Sequence, residues 1–461
     1  MPLLRHLLLT ALLFAIPSSA CPEQSRGAHL RASRYGGQAA AGTLQVGAAR
    51  IDITPAADAA LPMAGYAGRT QGFRGIHDPL YVRAIVLDDG TTEVALVAWE
   101  SLFVPDQVWA ETSQQIATAT GIRAEHVLLS AVHNHAAPTL APAQPTAQQL
   151  AYRTTVQTAA VDAVRRAKAQ LQPARFGIGR ATAHVNINRR EFTAGRGWWL
   201  GFNEEGPSDK TVTVLRFEDL TGRPIALWIN YAVHAVVMGP ENFQITGDIA
   251  GATSQFVERH FAGNNRARSD AGMRLRLRPE EKPTADGVVA VWTSGAAGDQ
   301  NPVSMASGED FTLVDALGKT LGEAAVRAAS TVTVTADVSL RGVQKVVTCP
   351  GRRVDPGQTP RADYTFKDAD PVDIRLSLVT INDVALAGVS GEVFTLIARR
   401  LQREAPSRQV VMVTHSNGSS GYIPNDAAFE PVSYEVTASR LKPGCAENAI
   451  VSGFLESMRE P

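Results

Sequence analysis

A chain of 461 residues, 44% hydrophobic and 19% charged, can bury a sizeable core and fits an ordinary globular protein. Its formal net charge of −1 argues against an electrostatic nucleic-acid binder, which would carry a clear basic excess. Only three cysteines occur.

The N-terminus reads as a targeting segment. Arg5 and His6 form a short polar start, residues 7–16 an apolar run, and Ser18-Ser19-Ala20 a small-residue cleavage motif before Cys21. The run is too short to span a bilayer as a helix. Residues 1–20 are thus expected to be a signal peptide removed on export. Lipidation of Cys21 would make a membrane-anchored lipoprotein, and its absence a periplasmic or secreted protein. Ser18 stands where a lipobox usually has Leu, which leaves both outcomes open. Residues 21–43, rich in Gly, Ala, Ser and Arg, read as a flexible tether. Cys349 and Cys445 then share an oxidising setting, where they either form one disulfide or stay as two buried thiols.

From Leu44 the sequence alternates strand-like and helix-like stretches, as expected of an α/β fold with mixed β-sheets flanked by helices. Strands are expected at 92–98 and 127–132, with a helix near 106–118 between them. Residues 148–170 show helical periodicity, with Leu150, Val156, Ala159, Ala160 and Val164 on one side. Further strands follow at 176–186, 211–217, 225–232 and 288–293, then a helix at 312–329 and extended chain at 331–347. Residues 374–387 resemble a hairpin turned by Asn382-Asp383; 393–402 reads as a helix and 410–413 as a last strand. Two stretches, 263–286 and 350–371, lack periodicity and read as solvated loops. Residues 44–461 are taken as one catalytic unit.

The chemistry-bearing residues sit where strands are expected to end. His133 and His135 form an H-x-H pair after the apolar run at 127–129, and alternation along a strand would send both imidazoles to one face. His234 ends a second apolar strand, and Asp248 follows in Thr246-Gly247-Asp248. The small-residue loop Gly298-Asp299-Gln300-Asn301-Pro302 comes after a third, and Gly391-Glu392 is expected to open the helix that follows the run at 384–389. Such clustering suits an α/β active site. Each residue alone also has a plain structural reading, such as a dipole-favoured charge at a helix start for Glu392.

In order, these residues resemble the neutral/alkaline (non-lysosomal) ceramidase family. The likeness runs from about Val46 to Tyr434. It is carried by Val46-Gly47-Ala48-Ala49-Arg50-Ile51-Asp52-Ile53-Thr54-Pro55, Met63-Ala64-Gly65-Tyr66 and Ile76-His77-Asp78-Pro79-Leu80-Tyr81. The H-x-H, Asn186-Ile187-Asn188-Arg189, the strand to His234, the Ala-Gly-Asp loop, Gly391-Glu392 and the stretch 417–424 complete it. The resemblance implies one Zn2+ ion on His133, His234 and Glu392, with His135 beside it as an acid/base or orienting group and Arg189 helping to hold the site. It implies hydrolysis of an amide, N-acylsphingosine or a related N-acyl amide, by zinc-activated water.

Three departures modify that expectation. Asn301 stands where the family has a serine, so it can offer an amide donor but no alcohol nucleophile. Ser419 holds the place of the family's tyrosine ligand, while Tyr422 matches a second tyrosine near the site; either Tyr422 swings in or water completes the coordination. The chain also ends soon after residues 434–436, where typical members continue into a β domain. The expected partner is a lipid or N-acyl small molecule, with membrane association through a lipidated Cys21 and no nucleic acid. The alternatives are a zinc esterase or deacetylase of envelope molecules, or a non-catalytic lipid- or glycan-binding lipoprotein. His77, His415 and Glu100 lie in or near family-like segments with no assigned role.

Overall fold

Apolar residues alternate between two layers along the central strands, and this alternation fixes the architecture. On one strand pair, Ile85, Leu87, Val94 and Leu96 face one core, while Ala84, Val86, Ala95 and Val97 face another. A sheet buried on both faces needs cover on both, which the helices supply. The computed structural model describes residues 42–195, 197–269, 287–354, 365–407 and 409–460. The expected signal peptide, Cys21 and nearly all of the tether lie outside these residues. Gly42–Thr43 already pairs with Asp337–Val338. No helix among the described residues is long and apolar enough to cross a membrane.

The main sheet has eight strands in the order Val289–Ser294, Pro224–Tyr231, Thr211–Asp219, Gln172–Thr182, Gln45–Asp52, Tyr81–Asp88, Glu93–Trp99 and Val127–Ala131. It is mixed: both outermost pairs run parallel and the inner pairs antiparallel. The sheet curls until its edges meet, where Ser294 Oγ donates to the Val132 carbonyl at 3.1 Å. Residues 414–417 fill that seam, with the Thr414 N–H on Ser294 O and the Asn417 N–H on Leu129 O. The Asn417 side chain also bonds both Leu129 N–H and Val127 O, so it mimics a neighbouring strand. A second sheet, in the order Leu340–Val354, Phe366–Ile381, Val384–Val389 and Gln409–Val413, packs on this seam. Its outer strand is tied to the helix Ala446–Arg459 by a disulfide between Cys349 and Cys445.

Three sequence expectations are corrected. The stretch 350–371 is not all loop: Leu340–Val354 and Phe366–Ile381 run into it and pair as far as Val354 with Phe366. Pro350 is tolerated because the register shifts between Cys349 and Gly351, and Pro371 because it lies where pairing is interrupted. Residues 355–364 lie outside the described residues. The stretch 263–286 likewise begins inside the helix Asp248–Ser269, and its remainder is not described. In the helix Ala147–Ala169, Leu150 is 37% exposed although periodicity placed it inward. Thr146 and Gln149 form a reciprocal capping box, which turns Gln149 inward and rotates Leu150 out.

Candidate metal centre

Histidine tautomers are set here by the backbone. His133 Nδ1 donates to the Leu102 carbonyl at 2.8 Å, and His234 Nδ1 to the Gln300 carbonyl at 2.9 Å. Each Nε2 is then left with its lone pair aimed inward. Glu392 Oε2 lies 3.2 Å from His234 Nε2 and 3.4 Å from His133 Nε2. His135 Nε2 lies 3.4 Å from His133 Nε2. The His135 backbone carbonyl accepts from Arg69, while its Nδ1 is buried without a hydrogen bond.

Electrostatics favour the same arrangement. Burial, followed by the positive field of Arg189, pushes the His234 imidazole down to about 3, so it is neutral at ordinary pH. Burial would raise the Glu392 carboxyl, but the facing His133 and His234 hold it well below the usual range. The neutral His234 imidazole and the Glu392 carboxylate thus face one another beside His133, an arrangement that suits a cation. The spacing fits zinc. Donors about 2.0–2.1 Å from a tetrahedral centre lie about 3.3 Å from one another.

The strand reading of the H-x-H pair needs revision. The strand ends at Ala131, and His133 adopts φ 61°, so a left-handed turn rather than strand alternation brings its ring over that of His135. Glu392 does not cap a helix: it lies in the short strand Glu392–Val393, paired with Tyr422–Ile423, three residues before the helix begins at Thr395. Gly298 makes this possible, because a Cβ there would come within 2.5 Å of the Glu392 carbonyl. Asp248 is absorbed elsewhere, accepting the N–H groups of Val237, Met238 and Ile249.

Arg189 forms the second half of the site. Its guanidinium donates to Glu435 at 2.7 Å, to Asn301 Oδ1 at 3.3 Å and to the Tyr422 hydroxyl at 3.0 Å. Because Arg189 occupies Asn301 Oδ1, the Asn301 NH2 is the end left for another partner. Burial pushes the Tyr422 hydroxyl well up despite Arg189, so it keeps its proton. Asp299 serves structure: it accepts from Thr395 and Asn188 and clamps the Ala-Gly-Asp loop.

Ser419 engages Asp106 through its N–H and Arg440 through its carbonyl, and its hydroxyl makes no hydrogen bond to the cluster. The nearer group is His415, whose ring stacks on that of His133 at 3.9 Å and 14°. A donor atom of His415 lies within 4.8 Å of donors on His133 and Glu392. Near-parallel rings cannot both aim an in-plane lone pair at one point, so His415 buttresses His133. It sits at φ 54° in the seam segment, and its backbone bonds Gly391 and Ala131. Sequence reading assigned no role to His415 and missed Glu435, which is fully buried beneath Arg189. Both follow segments whose local pattern carries no metal-ligand spacing.

Residues 44–313 match the family model for neutral/alkaline non-lysosomal ceramidase, N-terminal. The chain belongs to this family. It is 29% identical over 247 residues to the neutral ceramidase of Drosophila pseudoobscura pseudoobscura, covering 49% of this chain and 33% of that protein. It is 30% identical over 241 residues to neutral ceramidase B of Dictyostelium discoideum, covering 48% and 32%. The chain thus matches about a third of the length of these relatives. Its fold matches a crystal structure of neutral ceramidase from Pseudomonas aeruginosa with TM-score 0.71 and 18% identity, over 90% of this chain and 73% of that one. A ceramidase structure complexed with C2 gives TM-score 0.72, with 18% identity and coverage of 90% and 74%.

Proposed function

We propose that this chain is an exported, zinc-dependent hydrolase that cleaves the amide bond of an N-acyl lipid of the ceramide class. The observation that carries the reading is that Glu392 Oε2 stands 3.4 Å from His133 Nε2 and 3.2 Å from His234 Nε2. When bound there, zinc polarises a carbonyl and acidifies a water. The remaining roles belong to the protein. Tyr422 accepts from Arg189, and its O–H can turn to donate towards a substrate oxygen. The Asn301 NH2 offers a second donor, and together they stabilise negative charge developing on the carbonyl. Burial holds the His135 imidazole well below its usual range, leaving a neutral base beside the cluster. It can take a proton from water and return it to the departing amine. Asn301 cannot form an ester intermediate, so direct attack by water is the route.

Export rests on the sequence of residues 1–20, and any acyl anchor on Cys21. The test is hydrolysis of short- and long-chain N-acyl sphingoid bases against acyl esters, with and without chelator. Amide cleavage abolished by chelator and restored by zinc is expected. Undiminished turnover in chelator would overturn the reading.

A further inference from the structure

Eight large apolar side chains are exposed among the described residues, and three of them share one hairpin. Its strands are Asn186–Thr193 and Gly197–Asn203, and the three are Phe192 at 61%, Leu200 at 39% and Phe202 at 47%. Phe192 stands opposite Trp198 and Arg190 opposite Leu200, so strand alternation puts Phe192, Trp198 and Leu200 on one side; Phe202 lies at a register shift beyond Leu200 and is also exposed. The rings of Phe192 and Trp198 meet edge-on at 5.9 Å. Glu191 is the one carboxylate within these two strands, and the exposed Glu204 and Glu205 follow Asn203 directly. Glu191 belongs to the opposite side, where it accepts the Phe202 N–H, and Trp199 there packs on Tyr434 at 5.8 Å. Arg190 Nε lies 3.2 Å from Ser433 Oγ, so its charge is turned towards the body and the apolar row stands free.

The hairpin is continuous with the candidate centre. Arg189, three residues before Phe192, holds Tyr422 and Asn301, and Tyr434 links Trp199 to Tyr422 with ring centroids 5.9 Å apart. Three residues of strand span about 10 Å. We propose that this hairpin docks on the interface of a lipid bilayer, sinking Phe192, Trp198, Leu200 and Phe202 among the acyl chains close to the candidate centre. Mixed Phe, Leu and Trp faces suit that interface, where an indole finds both an apolar bed and a polar partner. The proposal rests on the N-acyl lipid reading of the site: a substrate dissolved in a bilayer must reach Tyr422 and Asn301 without crossing water. Gly197–Asn203 is the outer strand of its three-stranded sheet, so a second copy of the chain pairing with that edge is the competing occupant.

The test uses the full chain carrying Cys21→Ser, so that no acyl anchor contributes, with vesicles of phosphatidylcholine and phosphatidylglycerol. We expect Phe192→Ser/Leu200→Ser/Phe202→Ser to lower the vesicle partition coefficient at least tenfold. Brominated phosphatidylcholine should quench tryptophan emission of the otherwise unaltered chain, and Trp198→Phe should remove most of that quenching. Equal partitioning of the triple variant, or no bromine quenching, overturns the proposal. So does a dimer in solution, without lipid, that the triple variant dissolves. Vesicle binding needs no turnover, so its outcome is separable from that of the hydrolysis test. Chelator-sensitive cleavage of a water-soluble N-acyl substrate with no vesicle binding would sink the docking proposal alone.

Discussion

His234 Nε2 and Glu392 Oε2, 158 residues apart in sequence, stand 3.2 Å apart. The curl of the eight-stranded sheet makes that meeting possible. Pro224–Tyr231 delivers His234 and Val127–Ala131 delivers His133 from opposite sides of the seam, while the second sheet feeds in Glu392 after Val384–Val389. Three strand ends, rather than one motif, build the centre.

Asn301 and Arg189 should separate metal binding from turnover. Asn301→Ala removes a donor without touching His133, His234 or Glu392, so zinc content should hold while kcat falls about 10- to 1000-fold. Arg189→Met should do the same and also leave Glu435 buried without its nearest cation, with a lower melting temperature. Steady-state kinetics beside metal analysis checks both.

Gly65 is required by contact as well as conformation. It has φ 93°, and a Cβ there would fall 2.1 Å from His135 Nδ1. Gly65→Ala should displace the His135 ring and lower kcat, with a stability loss of about 1–3 kcal/mol. Zinc should still bind through the other three side chains. A variant with unchanged kcat would exclude His135 from the proton relay.

Glu100 makes stability depend on pH. Burial pushes its carboxyl up to about 7 despite the buried Arg83 partner, with Asp78 adding repulsion. A group whose folded value exceeds its unfolded 4.5 contributes stability that is fully present below 4.5 and lost as pH rises through 7. The decline from this residue alone is about 3 kcal/mol. Urea midpoints of chelator-treated protein at pH 5 and pH 8 should therefore differ less in Glu100→Gln than in the parent. An identical difference in both would remove Glu100 as the source.

Much of the scaffold was legible because buried strands and amphipathic helices announce themselves by period. The helix at 312–329 and the turn at Asn382-Asp383 match Thr312–Ser330 and the connection between Ile381 and Val384. Ordered motifs made the family legible as well. Geometry set beyond the local period was not. The left-handed turn at His133 and the short strand holding Glu392 depend on Leu102, Gly298 and Tyr422, all distant in sequence. The seam role of residues 414–417 was hidden for the same reason, since a strand mimic built from Asn417 has no alternation to read.

The most direct measurement is zinc stoichiometry in the parent and in His133→Ala, His234→Ala and Glu392→Ala, taken with a fold check by circular dichroism. The account predicts one zinc per parent chain, and folded single variants whose affinity falls at least a hundredfold. A folded parent that takes up no zinc, or variants that hold it as tightly as the parent, would contradict the shared centre.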